Sequence, residues 1–104
     1  MQNLIAYSIC GEYISSAIQA GGLPIVSANG KDLGPNLIRV GFVEVTGALQ
    51  KGDVAIIQAI DGHPYGHACM YDGKTWYSDF KQNSMYPGPG YRKVKPSYKI
   101  YRHL

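Results

Sequence analysis

Asp72-Gly73, set between two runs of strand-forming residues at 66–71 and 74–80, constrains the fold of this chain more than any other feature. A two-residue Asp-Gly loop has the backbone twist that lets two right-twisted strands pair as a hairpin. With that turn Tyr71 pairs with Lys74, and counting outward places His67 opposite Ser78, with Asp79 one step further along. A small bulge or a longer loop brings Asp79 directly beside His67. The register alone leaves Ser78 and Asp79 both open. Asp79 is preferred because a carboxylate holds an imidazolium and its N–H better than a hydroxyl does.

More strands surround this hairpin. Residues 42–46 alternate and are rich in β-branched side chains, and Gly52-Asp53 turns the chain into 54–59, an apolar run with the length of a buried strand. Asp61-Gly62 makes the next turn, and residues 98–102 alternate again, as a last strand closing the sheet. Residues 81–96 hold Pro87, Pro89 and Pro96 with Gly88 and Gly90, which excludes a central strand or a helix interior. That segment is expected to be a long ordered loop.

Ahead of the strands lies a helix. Ser8 is placed to cap it, Glu12 suits its positive end, and Tyr13, Ile14, Ala17 and Ile18 form one apolar stripe. Gly21-Gly22 and Pro24 end it. Cys10 then falls in the first turn, where unpaired N–H groups stabilise a thiolate. Residues 31–40 carry Leu33, Leu37 and Val40 at helical spacing, so the chain forms either one helix there or a turn followed by a helix after Pro35.

At 104 residues the chain is long enough for one core and too short for two ordinary domains, so residues 1–104 are read as a single domain. A composition that is 45% hydrophobic and 16% charged excludes an intrinsically disordered chain. No stretch approaches the roughly 18 consecutive apolar residues of a membrane span, and residues 1–7 lack the features of a secretory signal. The expectation is synthesis in the cytoplasm, without membrane insertion. Under those conditions Cys10 and Cys69 are expected as thiols rather than a disulfide.

The charge is uneven. Residues 1–70 carry three Lys/Arg against five Asp/Glu (net −2), and residues 71–104 seven against two (net +5). The basic third suits an anionic polymer or is simply a solvated face. A nucleotide- or nucleic-acid-binding role has little support, because the glycines fall in turns rather than between a strand and a helix.

Chemistry-bearing residues fall in the order Cys10, His67, Asp79. A thiol attacks a carbonyl as thiolate, needs a base beside it, and gains from a third group that fixes the base's tautomer. Each of these residues alone is more often structural. Cys69 shares the strand face of His67 by alternation and is read as core, His63 as a turn residue, and His103 as terminal. A zinc site of His63, His67, Cys69 and Asp79 has suitable ligand chemistry, but its spacing matches no closed structural pattern. Tyr86, Tyr91 and Trp76 either stack on sugar rings or cover the sheet.

Three strings carry a resemblance: Cys10-Gly11-Glu12-Tyr13-Ile14 with Ala17 and Gly21-Gly22-Leu23, then Leu49-x-Lys51-Gly52-Asp53-Val54, then Gly66-His67-Ala68-x-Met70-Tyr71. In this order they resemble the CHAP family of cysteine, histidine-dependent amidohydrolases and peptidases, relatives of the NlpC-type cell-wall peptidases. The tail, Asp79-Phe80-Lys81-Gln82 and residues 86–92, is similar to small phage lysins and amidase effector toxins of that superfamily.

The resemblance implies an α+β, papain-like fold in which an N-terminal helix carrying the Cys packs on an antiparallel sheet carrying the His. It implies Cys10 as nucleophile, His67 as base and then acid, and Asp79 as the orienting residue, with Ser78, Asp72 and Asp61 as rivals, since relatives carry His, Asn, Gln or Glu at that third position. The oxyanion would be held by the backbone N–H of Cys10 and a second donor, assigned to Tyr7, with Ser78 and Trp76 as further candidates for substrate contact.

The implied substrate is an amide bond in the peptide part of bacterial peptidoglycan, with no cofactor, no metal and no nucleic acid. A chain of this kind reaches the wall after lysis or by export without a signal peptide, and a secreted toxin needs a cognate immunity protein. The alternatives are a non-catalytic module of the same fold that binds wall or protein, and an acyl-transferring enzyme or protease of intracellular proteins.

Overall fold

The computed structural model describes the backbone of residues 2–104 and the side chains of residues 11–104. Helix α1 runs Gln2–Ala20, a 3-10 turn spans Gly30–Asp32, and α2 covers Gly34–Arg39. The strands are β1 (Phe42–Val45), β2 (Val54–Ile57), β3 (His67–Tyr71), β4 (Trp76–Tyr77), β5 (Lys81–Gln82) and β6 (Tyr98–His103), with α3 (Pro89–Val94) between the last two. They form one six-stranded antiparallel sheet in the order β1-β6-β2-β3-β4-β5. The last strand is therefore interior, between β1 and β2, and does not close an edge as expected.

Both faces of the sheet are covered, which explains why β2 reads as a continuous apolar run. Val54 and Ile56 face Ile14 and Ile18 of α1, Leu37 of α2, and Ala68 and Tyr101 of neighbouring strands. Ala55 and Ile57 face the other way, with Cys69, Trp76 and Tyr91. Tyr91 belongs to α3, so residues 81–96 are a short edge strand and a helix as well as loop. Pro89 sits at the helix start, where its missing N–H costs nothing and its fixed φ suits the first turn.

Helix α1 ends as expected. Gly22 takes φ +99°, a left-handed value that glycine adopts without strain, and the Leu23 N–H returns to the Ile18 carbonyl at 3.4 Å. Its start differs, since a helix beginning at Gln2 puts Cys10 in the interior rather than the first turn, and Ser8 is not its cap. Residues 2–9 contain neither Gly nor Pro, so nothing in them stops the helix from extending. The buried stripe is also rotated from the expected one: Gly11, Ile14, Ser15 and Ile18 are buried, whereas Tyr13 is 46% exposed and Ala17 is exposed too.

The second helix follows the broken alternative, a 3-10 turn and then α2 with Pro35 in its first turn. Asp53, fully buried at the start of β2, anchors the far side of the sheet. Arg102 grips it twice, Nε to Oδ1 at 2.8 Å and Nη2 to Oδ2 at 2.9 Å, and also donates to the Ala48 carbonyl. The Gln50 N–H adds a bond to Oδ2 at 2.8 Å, so one carboxylate ties the 46–53 loop to β6.

Candidate functional site

The β3–β4 turn is wider than two residues. The Asp72 N–H donates to the Thr75 carbonyl at 3.0 Å, and Asp72 Oδ1 accepts from the N–H groups of Lys74 (2.8 Å) and Thr75 (2.6 Å). That side-chain bonding makes a four-residue loop, pairing Tyr71 with Trp76 and Met70 with Tyr77. The expected pairing of Tyr71 with Lys74, and of His67 with Ser78, does not form. Instead the chain reverses again after β4, with Ser78 N–H on the Phe80 carbonyl at 3.0 Å, and β5 folds back so that Gln82 pairs with Trp76.

This second reversal delivers the residue that holds His67. His67 is 8% exposed, and its Nε2 lies 2.7 Å from Oε1 of Gln82, which is buried. The amide orientation is fixed by its other end: Gln82 Nε2 donates to the carbonyls of Ser84 and Met85, both at 2.9 Å. Oε1 can only accept, so Nε2 of the neutral ring carries the proton and Nδ1 keeps the lone pair. The bond network thus assigns the tautomer a base needs.

Asp79, the expected orienting residue, acts on His67 through its charge, while the hydrogen bond belongs to Gln82. Burial pushes the His67 pKa below its ordinary value. The Gln82 bond and the Asp79 charge oppose that shift, and the nearby His63 adds to it. The ring is therefore neutral at neutral pH. By alternation it leaves the sheet with Cys69 on the α3 side, near the rings of Tyr91 (6.1 Å between centroids) and Phe80 (6.4 Å), and Phe80 is 47% exposed.

Two glycines bring the N-terminal helix to this strand. A Cβ at Gly11, the residue after Cys10, would fall on the Ala28 carbonyl oxygen, so only glycine lets the helix touch that loop. A Cβ at Gly30, two residues beyond Ala28, would lie 2.7 Å from both Cα and the carbonyl carbon of His67. One layer of backbone, residues 28–30, thus separates the helix at residue 11 from the start of β3. The loop is held there by the Lys31 N–H on the Tyr65 carbonyl at 2.9 Å. The side chains of Cys10 and Tyr7 lie outside the described residues.

Four other sequence candidates, Trp76, Tyr91, Ser78 and Cys69, are buried, whereas Asp61 and Asp72 are exposed. Trp76 is 7% exposed and packs against Tyr71 with ring centroids 5.1 Å apart, and Tyr91 is 3% exposed, so both cover the sheet. Ser78 is 1% exposed, and its Oγ has no hydrogen-bond partner. Cys69 is buried, with its Sγ 3.7 Å from the Met85 carbonyl. No group of three His, Cys, Asp or Glu side chains among the described residues is placed to hold a metal ion. No described helix is long and apolar enough to cross a membrane.

Gln82 and Gly30 are the site residues that sequence reasoning missed. Gln82 lies in the Asp79-Phe80-Lys81-Gln82 string that carries the resemblance, and the amides found at the third position in relatives were the available signal. Gly30 gave none.

No protein-family model matches the chain, and no curated protein does. Solved structures do. The chain is similar to the native crystal structure of the type VI effector–immunity complex Tae3–Tai3 from Ralstonia pickettii, with 49% identity and a TM-score of 0.88, over 91% of this chain and 82% of that one. The selenomethionine form of the same complex matches at 50% identity and a TM-score of 0.85, over 88% of this chain and 83% of that one.

Proposed function

The chain belongs to the Tae3 family of type VI effectors, and on that footing we propose that it is a cysteine amidase that cuts an amide bond in the peptide part of bacterial peptidoglycan. The observation that carries this reading is the neutral His67 held through Nε2 by Gln82, on a strand that residues 28–30 press against the helix of Cys10. A base with a fixed tautomer beside a cysteine-bearing helix is what thiol acyl transfer needs.

In the first step His67 Nδ1 takes the Cys10 proton and the sulfur attacks the amide carbonyl. The imidazolium then protonates the leaving amine as the C–N bond breaks, leaving a thioester on Cys10. In the second step Nδ1 removes a proton from water, the hydroxide attacks the thioester, and the C–S bond breaks as the departing thiolate takes the proton back from the imidazolium. Gln82 orients the ring by a neutral hydrogen bond, and Asp79 steadies the imidazolium through space.

An oxyanion donor is still required. A helix that begins at Gln2 engages the Cys10 N–H with the carbonyl four residues earlier, so it is not an open donor. Tyr7, one turn ahead of Cys10, is assigned to that role.

The partner would be an immunity protein of the Tai3 kind, which protects the producing cell, and delivery would use type VI export without a signal peptide. The test is digestion of purified peptidoglycan by the native chain and by Cys10→Ala. New amine termini are expected with the native chain and none with the variant, whose circular dichroism should be unchanged. Equal digestion by both would overturn the thioester route, and release of amines from denatured casein but not from peptidoglycan would overturn the substrate.

A further inference from the structure

All seven acidic residues of the chain lie at or before Asp79, so residues 80–104 carry six Lys/Arg and no Asp or Glu. Folding neutralises only part of that charge. Lys99 pairs with Glu44 at 3.7 Å, and Arg102 with the buried Asp53 at 2.8 Å. Of the other four, Lys81 is on β5, and Arg92, Lys93 and Lys95 fall within four consecutive residues at the end of α3. These three are exposed, and none of them is in an ion pair among the described residues.

The packing of α3 fixes where these cations sit. Tyr91 is buried, and its ring lies 6.1 Å from that of His67 and 5.1 Å from that of His63, so the inner face of α3 backs on the base. With Tyr91 taken up by the sheet and Val94 the one large exposed hydrophobic of the helix, no apolar face is left to enter a bilayer. Lys95 adds an independent observation. It follows the helix at φ +52°, the one non-glycine residue with a positive φ among the described residues. Glycine takes that left-handed position without strain, whereas lysine there costs backbone energy and keeps a cation. Arg92 and Lys93 already complement the helix dipole in the last turn, which leaves the strained third cation for a role outside the helix.

We propose that the exposed side of α3 is a docking surface for the anionic wall polymer, which Arg92, Lys93 and Lys95 hold through carboxylates of peptides other than the one being cut. The identity of the partner rests on the peptidoglycan reading, and its charge rests on the surface alone. Carboxylates spread over a network suit cations that no internal acid occupies. Attachment there raises the local concentration of amide bonds on the side of the sheet that carries His67.

Cosedimentation of the Cys10→Ala protein with insoluble sacculi reads binding without turnover. Adding Arg92→Gln and Lys93→Gln together should weaken Kd about tenfold. Arg39→Gln with Lys74→Gln removes the same charge from exposed positions on α2 and the β3–β4 turn, and should change Kd by less than about twofold. Binding should also fall between about 0.1 M and about 1 M salt, as the screening length drops from about 10 Å to about 3 Å. It should fall again on sacculi whose carboxylates have been amidated. Lys95→Gly should melt no lower than its parent and yet bind more weakly. Equal losses in the two double variants, full binding by Lys95→Gly, full binding to amidated sacculi, or equally tight binding to phosphatidylglycerol vesicles overturns the proposal. Since no hydrolysis is needed, a native chain that releases no amines would overturn the amidase reading and leave this outcome legible.

Discussion

His67 Nε2 lies 2.7 Å from Gln82 Oε1, and a neutral amide, itself tied down at 2.9 Å to the Ser84 and Met85 carbonyls, therefore holds the ring. An amide partner fixes the tautomer without adding charge, and burial holds the ring's pKa below its ordinary value of 6.5 although the Gln82 bond pulls it the other way.

Gln82→Ala should lower kcat on the order of 10²-fold, because an unheld ring leaves its productive orientation. Gln82→Glu separates orientation from charge. A carboxylate in that place favours the imidazolium, raises the His67 pKa, and moves the acid limb of the kcat/KM profile to higher pH. An acid limb that stays put in Gln82→Glu would show that Gln82 does not face the catalytic base.

Asp79→Asn should shift the same limb the other way. The base works when neutral, so activity falls as pH drops through the folded pKa, which already lies below 6.5. Asp79 raises that pKa by its charge, and removing the charge lowers it further, extending activity to lower pH with kcat at neutral pH nearly preserved. A large loss of kcat at neutral pH would instead restore Asp79 as the orienting residue.

Gly30→Ala tests the contact that presses the loop onto the strand. Its new Cβ would meet the His67 backbone at 2.7 Å, so loop or strand must shift. A shift on the order of 1 Å at the base costs about 10²-fold in rate, well beyond its cost in stability. The expected result is a folded, inactive protein by circular dichroism and wall digestion. Gly88→Ala, where a Cβ meets nothing within 4 Å, is the control that should keep full activity.

Asp53 should dominate the acid stability of the domain. The Arg102 hydrogen bond, with help from the Gln50 N–H, holds its pKa below 3.8 against the cost of burial. A depressed carboxylate pKa contributes stability that is present above the unfolded value and lost as pH falls through it toward the folded one. The melting temperature should therefore drop from about pH 5 to about pH 3, and the drop should shrink in Asp53→Asn. That variant leaves Arg102 without its counter-charge and should lower the urea midpoint at neutral pH.

Where the pattern is local, sequence and structure agree. The apolar run of β2, the alternation of β1, the Gly21-Gly22 stop of α1 and the turns at Gly52-Asp53 and Asp61-Gly62 each follow from a few adjacent residues. Where one side chain redirects the backbone they part. Asp72 Oδ1 takes two N–H groups and widens the turn, and that alone displaces His67 from the expected partner. Residues 81–96 read as loop because Pro and Gly weaken every periodic pattern, yet Tyr91 has a hydrophobic face of the sheet to cover, and burial outweighs the weak propensity of its helix.

The residues themselves determined an α+β arrangement with a cysteine in the first helix and a histidine on a strand, because periodicity and turn chemistry act over a few neighbours. Only the folded chain decided that Gln82, fifteen positions from His67, holds the ring, and that Gly11 and Gly30 bring helix and strand together. Those relationships depend on the exclusion of a Cβ and on an amide locked by two carbonyls, and both exist only once distant backbone segments have packed.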